Sequence, residues 1–127
     1  MIYLDANVII RFVEGDSATR DPIKRRLLGE NSLATSQLSR LECRCHPMRN
    51  NNLAVLGLFD RFFAAQELQI LDIDPRVIDE ATHLRATDGF KSPDAIHLAS
   101  AVVAGVTHFL TGDLQLARCK RMLVEII

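Results

Sequence analysis

The chain has 127 residues, 48% of them hydrophobic and 24% charged, with a formal net charge of −1. That is one ordinary domain's worth of chain with a globular composition, long enough to bury a core without staples. A charge so near zero excludes a global field that attracts nucleic acid, so any such role must come from local clusters.

No apolar stretch approaches the roughly 20 residues that a membrane span needs. The first residues lack a basic leader followed by an apolar run, so no secretion signal is expected. Cys43, Cys45 and Cys119 make an odd count without framework spacing. The expectation is a reduced, cytoplasmic protein. Cys43-x-Cys45-His46 lacks the fourth ligand and the usual cysteine gap of a zinc site, and reads better as helix packing.

Taken in order, Ile2-Tyr3-Leu4 is a short apolar run without polar alternation, as in a strand covered on both faces. Asp5 ends it, and Val8, Ile9, Phe12 and Val13 follow at helical spacing behind Asn7, a good helix cap. Asp21-Pro22 is expected to start a short helix ending near Gly29. Ser32 to Thr35 reads as a second strand, and Ser36 opens a helix with Leu38, Leu41 and Cys45 on one face, broken by Pro47. Glu42 lies beside that stripe rather than opposite it.

Leu53 to Gln66 is a strongly apolar helix that forms a hairpin with its predecessor. That hairpin suits a partner or a twin subunit, and simple core packing equally well. Leu68 to Ile73 is a third strand, and Pro75 to about Ala86 an amphipathic helix. Ser92, as N-cap, starts the next helix, with Pro93 in its first position, Asp94 in its first turn and Gly105 as its stop. Thr107 to Thr111 is a fourth strand, Leu114 to Cys119 a short helix and Leu123 to Ile127 a final strand. Strands alternating with helices, without hairpin signals, predict a single α/β domain: a three-layer α/β/α sandwich with a parallel, Rossmann-like sheet.

Asp5 and Asp113 each follow a predicted strand, and so emerge on one edge of a parallel sheet. Asp94 in its helix start points to that edge as well, and Glu42 sits roughly 9 Å along its helix, within side-chain reach. Each acid has a bland reading: Asp5 as strand terminator, Glu42 as surface residue, Asp94 as dipole capper, Asp113 as turn residue. Together they form a costly set. Two such charges about 4 Å apart repel by on the order of 4 kcal/mol at an effective dielectric of 20. The natural neutraliser of all-oxygen ligands is Mg²⁺ or Mn²⁺, and such ions serve phosphoryl chemistry.

Tyr3-Leu4-Asp5-Ala6-Asn7, Thr35-Ser36 with Glu42 six residues on, Lys91-Ser92-Pro93-Asp94-Ala95-Ile96-His97-Leu98-Ala99 and Leu110-Thr111-Gly112-Asp113 resemble the PIN-domain family. More closely they resemble the VapC-type toxin ribonucleases of toxin–antitoxin pairs. The resemblance spans essentially the whole chain. It implies that Asp5, Glu42, Asp94 and Asp113 bind metal and catalyse, with Asn7, Ser36 and Thr111 as supporting polar groups. It also implies an RNA substrate, a homodimer and a cognate VapB-like antitoxin whose tail fills the acidic groove.

Ala6 departs from the family, where a hydroxyl is frequent, and His97 is expected to pack or hydrogen-bond rather than ligate. Lys91, Arg40 and Arg118 are candidate RNA-backbone contacts, although basic clusters are often only solvated helix faces. Two further readings share the fold: a housekeeping RNA-processing nuclease, and a module that binds RNA or protein without cutting. A haloacid-dehalogenase-type phosphatase needs a second aspartate where Asn7 stands.

Overall fold

The computed structural model describes residues 1–127. Five short strands, β1 (Ile2–Leu4), β2 (Leu33–Ser36), β3 (Leu68–Leu71), β4 (His108–Thr111) and β5 (Leu123–Ile126), form one sheet in the order β3-β2-β1-β4-β5. Every pairing is parallel. The connections are α1 (Ala6–Glu14), α2 (Ser17–Leu27), α3 (Gln37–Arg49), α4 (Leu53–Phe63), α5 (Pro75–Asp88), α6 (Ser92–Val103) and a 3₁₀ turn over Leu114–Arg118. The predicted α/β/α sandwich is the fold adopted.

Side-chain alternation along the strands divides the core in two. Tyr3, Ala34 and Phe109 face α5 and α6 with Val77, Leu84, Phe90 and Leu98. Ile2, Leu4 and Leu110 face the other way, with Val8, Ile9, Ile23, Cys43, Phe59 and Phe63 from α1 to α4. Both layers are needed because β1 is buried on both faces. Tyr3 and Phe109 sit opposite each other in register, and their rings stack with centroids 4.7 Å apart.

Several expected boundaries move, among them the ends of β3 at Leu71 rather than Ile73 and of α4 at Phe63 rather than Gln66. The second helix starts at Ser17, capped by Asp16, whose side chain accepts from the Thr19 backbone N–H at 3.0 Å, and not at Asp21. Pro22 thus lies inside it. Arg20 stitches this start to the end of α1 by donating to the carbonyls of Phe12 and Gly15. Pro47 lies within α3 instead of ending it, and the backbone turns only at Asn50. Lys91, not Ser92, is the N-cap of α6, with no side-chain cap bond.

The α3–α4 hairpin exists and packs one side into the core. Cys43, Phe59 and Phe63 enter the core, while Leu41, Met48 and Leu53 stay 62%, 56% and 70% exposed. An Arg44–Asp60 ion pair at 2.8 Å ties the two helices. No helix is long and apolar enough to cross a membrane.

Candidate functional site

The chain runs from β1 outward to β3, then returns to the far side of β1 with β4 and β5. The order therefore reverses between β1 and β4. In open α/β sheets, ligands bind in the crevice outside the carboxyl ends of the strands at such a point. Asp5 and Asp113 follow those two strands.

Asp5 is buried and caps α1. One carboxylate oxygen accepts from the Ala6 N–H at 2.8 Å, and the other from Asn7 Nδ2 at 3.0 Å and Thr111 Oγ1 at 2.7 Å. Asn7 bridges to the turn after β4: its Oδ1 accepts from the Gly112 N–H at 2.8 Å. Thr111 Oγ1 in turn accepts from the Asp113 N–H at 3.0 Å. Two expected supporting residues, Asn7 and Thr111, thus lock the orientations of Asp5 and of the Asp113 turn.

Asp94, in the first turn of α6, has its carboxyl held above the ordinary carboxylate range. Burial is the largest cause, then repulsion from Asp113 and from Asp5; His97 acts the other way and Glu42 adds a smaller push. A carboxyl on one helix therefore feels three others from separate parts of the chain. A helix N-terminus ordinarily favours an acid by about 0.3–1 kcal/mol. Here the opposing effects prevail.

Glu42 is held from behind. Its carboxylate accepts from Nε2 of His97, a buried ring whose Nε2 also lies 3.8 Å from Asp5 Oδ1. His97 Nδ1 is hydrogen-bonded to the Tyr3 hydroxyl at 2.8 Å, and Tyr3 donates to Ser36 Oγ at 2.9 Å. Ser36 consequently serves the acids only through Tyr3 and His97, and touches none of them. His97 has the hydrogen-bonding role expected of it. As placed, no group of three or more His, Cys, Asp or Glu side chains could hold a metal ion. The four acids share one electrostatic field rather than one set of contacts.

The PIN domain profile matches residues 2–122. The chain belongs to the PIN domain family. Its fold is similar to that of VapBC2 from Rickettsia felis bound to a promoter DNA fragment, with a TM-score of 0.79 at 17% identity over 99% of this chain and 98% of that one. The fold is similar as well to that of DNA-bound VapBC from Salmonella typhimurium, with a TM-score of 0.77 at 20% identity over 98% of this chain and 96% of that one. Mycobacterium tuberculosis VapC20, a Sarcin-Ricin loop cleaving toxin, gives 0.72 at 12% identity over 86% and 87%. No curated protein matches the chain in sequence.

Within this PIN fold the expected basic contacts differ in freedom. Lys91 and Arg40 are exposed. The Arg118 guanidinium lies 3.9 Å from the Phe90 ring centroid and donates to the Asp88 carbonyl, which commits it to clamping the loop before α6. The Cys43 thiol is pushed up to about 12, first by burial and then by the charges of Glu42 and Asp5. Cys45, two residues on, is exposed.

One residue absent from the sequence-based list stands beside the acids: Arg11, which shares a shallow concavity with Asn7, Gly112 and Asp113. In the sequence it is a lone cation among apolar residues, with nothing to separate it from a solvated face.

Tyr3→Phe tests the buried chain behind Glu42. The fully buried hydroxyl leaves Ser36 and His97 short of a partner when removed. The expected cost is about 1–3 kcal/mol of unfolding free energy, read from the urea midpoint. A midpoint equal to wild type would mean that the network contributes nothing net.

Proposed function

We propose that this PIN domain is a VapC-type toxin, an Mg²⁺- or Mn²⁺-dependent endoribonuclease of the cytoplasm. The observation that carries the reading is the placement of Asp5 and Asp113 after β1 and β4 at the switch-point edge, with Asp94 near enough that, besides burial, their charges hold its carboxyl up. Grouped acids of this kind cost stability, and their donor set is all hard oxygen, which suits a divalent cation over zinc. Asp5, Glu42, Asp94 and Asp113 would hold the ion by closing in on it, since as placed no three of them form a ligand set. When bound, it supplies charge neutralisation at the phosphodiester and a more acidic water.

The chain's own residues do the rest. Asn7 and Thr111 fix Asp5 and the Asp113 turn, and His97 fixes Glu42. Lys91 and Arg40 would hold flanking phosphates without reading bases. The VapBC complexes among its structural relatives support a cognate antitoxin as partner. Exposed Leu41, Met48 and Leu53 on the hairpin offer apolar area for that partner or for a second copy.

Purified protein should cut single-stranded RNA in Mg²⁺ or Mn²⁺ and stop on chelation. It should leave a phosphate monoester intact, and antitoxin should inhibit it. Binding of RNA without cutting in either ion would favour the non-cleaving module. Cleavage unaffected by chelation would remove the metal from the account.

A further inference from the structure

We propose that Arg11 and Gly112 form a phosphate subsite next to the acids, one that takes a backbone phosphate of the RNA strand beside the one being cut. The inference rests on the nuclease reading above and deepens it. Arg11 lies on α1 one turn beyond Asn7, and reaches across to the turn after β4. There Asn7, Arg11, Gly112 and Asp113 line a concavity of about 240 Å³ that contains no hydrophobic residue. That is below the usual size of a small-molecule pocket, yet ample for a phosphate group.

The guanidinium is underused. Nη2 donates to the Ile127 carbonyl at 2.6 Å, and Nη1 makes no hydrogen bond within the protein. Nε is the one buried side-chain nitrogen or oxygen in the molecule without a partner. No Asp or Glu side chain pairs with Arg11, although Asp113 lines the same concavity. A half-buried arginine whose Nη1 remains free to donate suits an anion with several oxygens.

Gly112 provides the floor. A Cβ there would stand 3.3 Å from Asn7 Oδ1, 3.4 Å from Arg11 Nη2 and 3.6 Å from its Cζ. Any side chain would occupy the space above the guanidinium. Lys91, Arg40 and Arg118 do not line this concavity. The site is therefore separate from the other basic candidates.

The test is binding of 5′-fluorescein single-stranded RNA by anisotropy, across a series of salt concentrations, in an Asp94→Asn parent that does not cut. Arg11→Gln should weaken binding about tenfold, and should shrink the log–log salt slope by about 0.7, the loss of one single-strand phosphate contact. Arg11→Lys should keep the slope and recover part of the affinity. Gly112→Ala should weaken binding with Arg11 present, which keeps the test decisive if Arg11→Gln folds poorly without its bond to Ile127. Affinity and slope unchanged in Arg11→Gln, or normal binding by Gly112→Ala, would overturn the subsite while leaving the nuclease reading intact. A parent that binds no RNA would take both away.

Discussion

Asp94→Asn is expected to lower RNA cleavage by at least about 10²-fold and to leave the fold intact. The magnitude follows from the several kcal/mol of charge stabilisation that a catalytic cation supplies, at 1.36 kcal/mol per tenfold in rate. Asparagine keeps the size of Asp94 and removes the charge that Asp113 and Asp5 oppose. The variant is preferable to Asp5→Asn, which should be equally inactive for two reasons at once. The Asp5 carboxylate accepts three hydrogen bonds in a buried position. An amide there turns a donor toward donors and costs about 1–3 kcal/mol of stability. Initial rates on a labelled RNA, with circular dichroism as a control for folding, measure both. An Asp94→Asn protein that cuts at the wild-type rate would remove this carboxylate from the chemistry.

The same substitution should reverse its effect on stability according to the metal. In chelator, Asp94→Asn should melt a few degrees above wild type, the size of a change of roughly 1 kcal/mol in a domain of this length. Its pH dependence carries the sign. Because the folded carboxyl is raised above its ordinary value of 3.8, the folded state binds that proton more readily than the unfolded chain. Its penalty is absent below that value, appears as pH rises through the raised pKa and is complete at neutrality. The advantage of the variant should therefore vanish in acid and be full at pH 7.

In Mg²⁺ the order inverts. Ligand at about 100 times its dissociation constant stabilises wild type by about 2.7 kcal/mol, and the variant should gain little of this. Parallel melting curves with and without Mg²⁺ would show that Asp94 shares no ion with its neighbours.

Strand and helix types were legible along the whole chain because short strand-favouring runs such as β1 alternate with helical spacing and cap or turn residues. The meeting of Asp5 with the Asp113 turn was also legible, since both follow strands that end on one edge. The strand order was not. Nothing local states that β4 returns beside β1, and that return places Thr111 on Asp5. For the same reason nothing in the sequence singles out Arg11, because its concavity needs α1 and the β4 turn together.

Ser36 was read as an orienter of carboxylates, and the structure inserts Tyr3 and His97 between it and Glu42. Helix boundaries failed where two caps competed: Asp16 wins over Asp21 because its side chain reaches the Thr19 N–H. Proline then sits inside a helix held by Arg20 to the end of α1.

Soaking crystals in Mn²⁺ and locating the ion by anomalous scattering probes the core claim without recourse to activity. The expected peak touches carboxylate oxygens of Asp5 and of at least one of Asp94, Asp113 and Glu42, with Glu42 still backed by His97. A peak on another surface, or none at a concentration that supports cleavage, would contradict a shared cation among these acids.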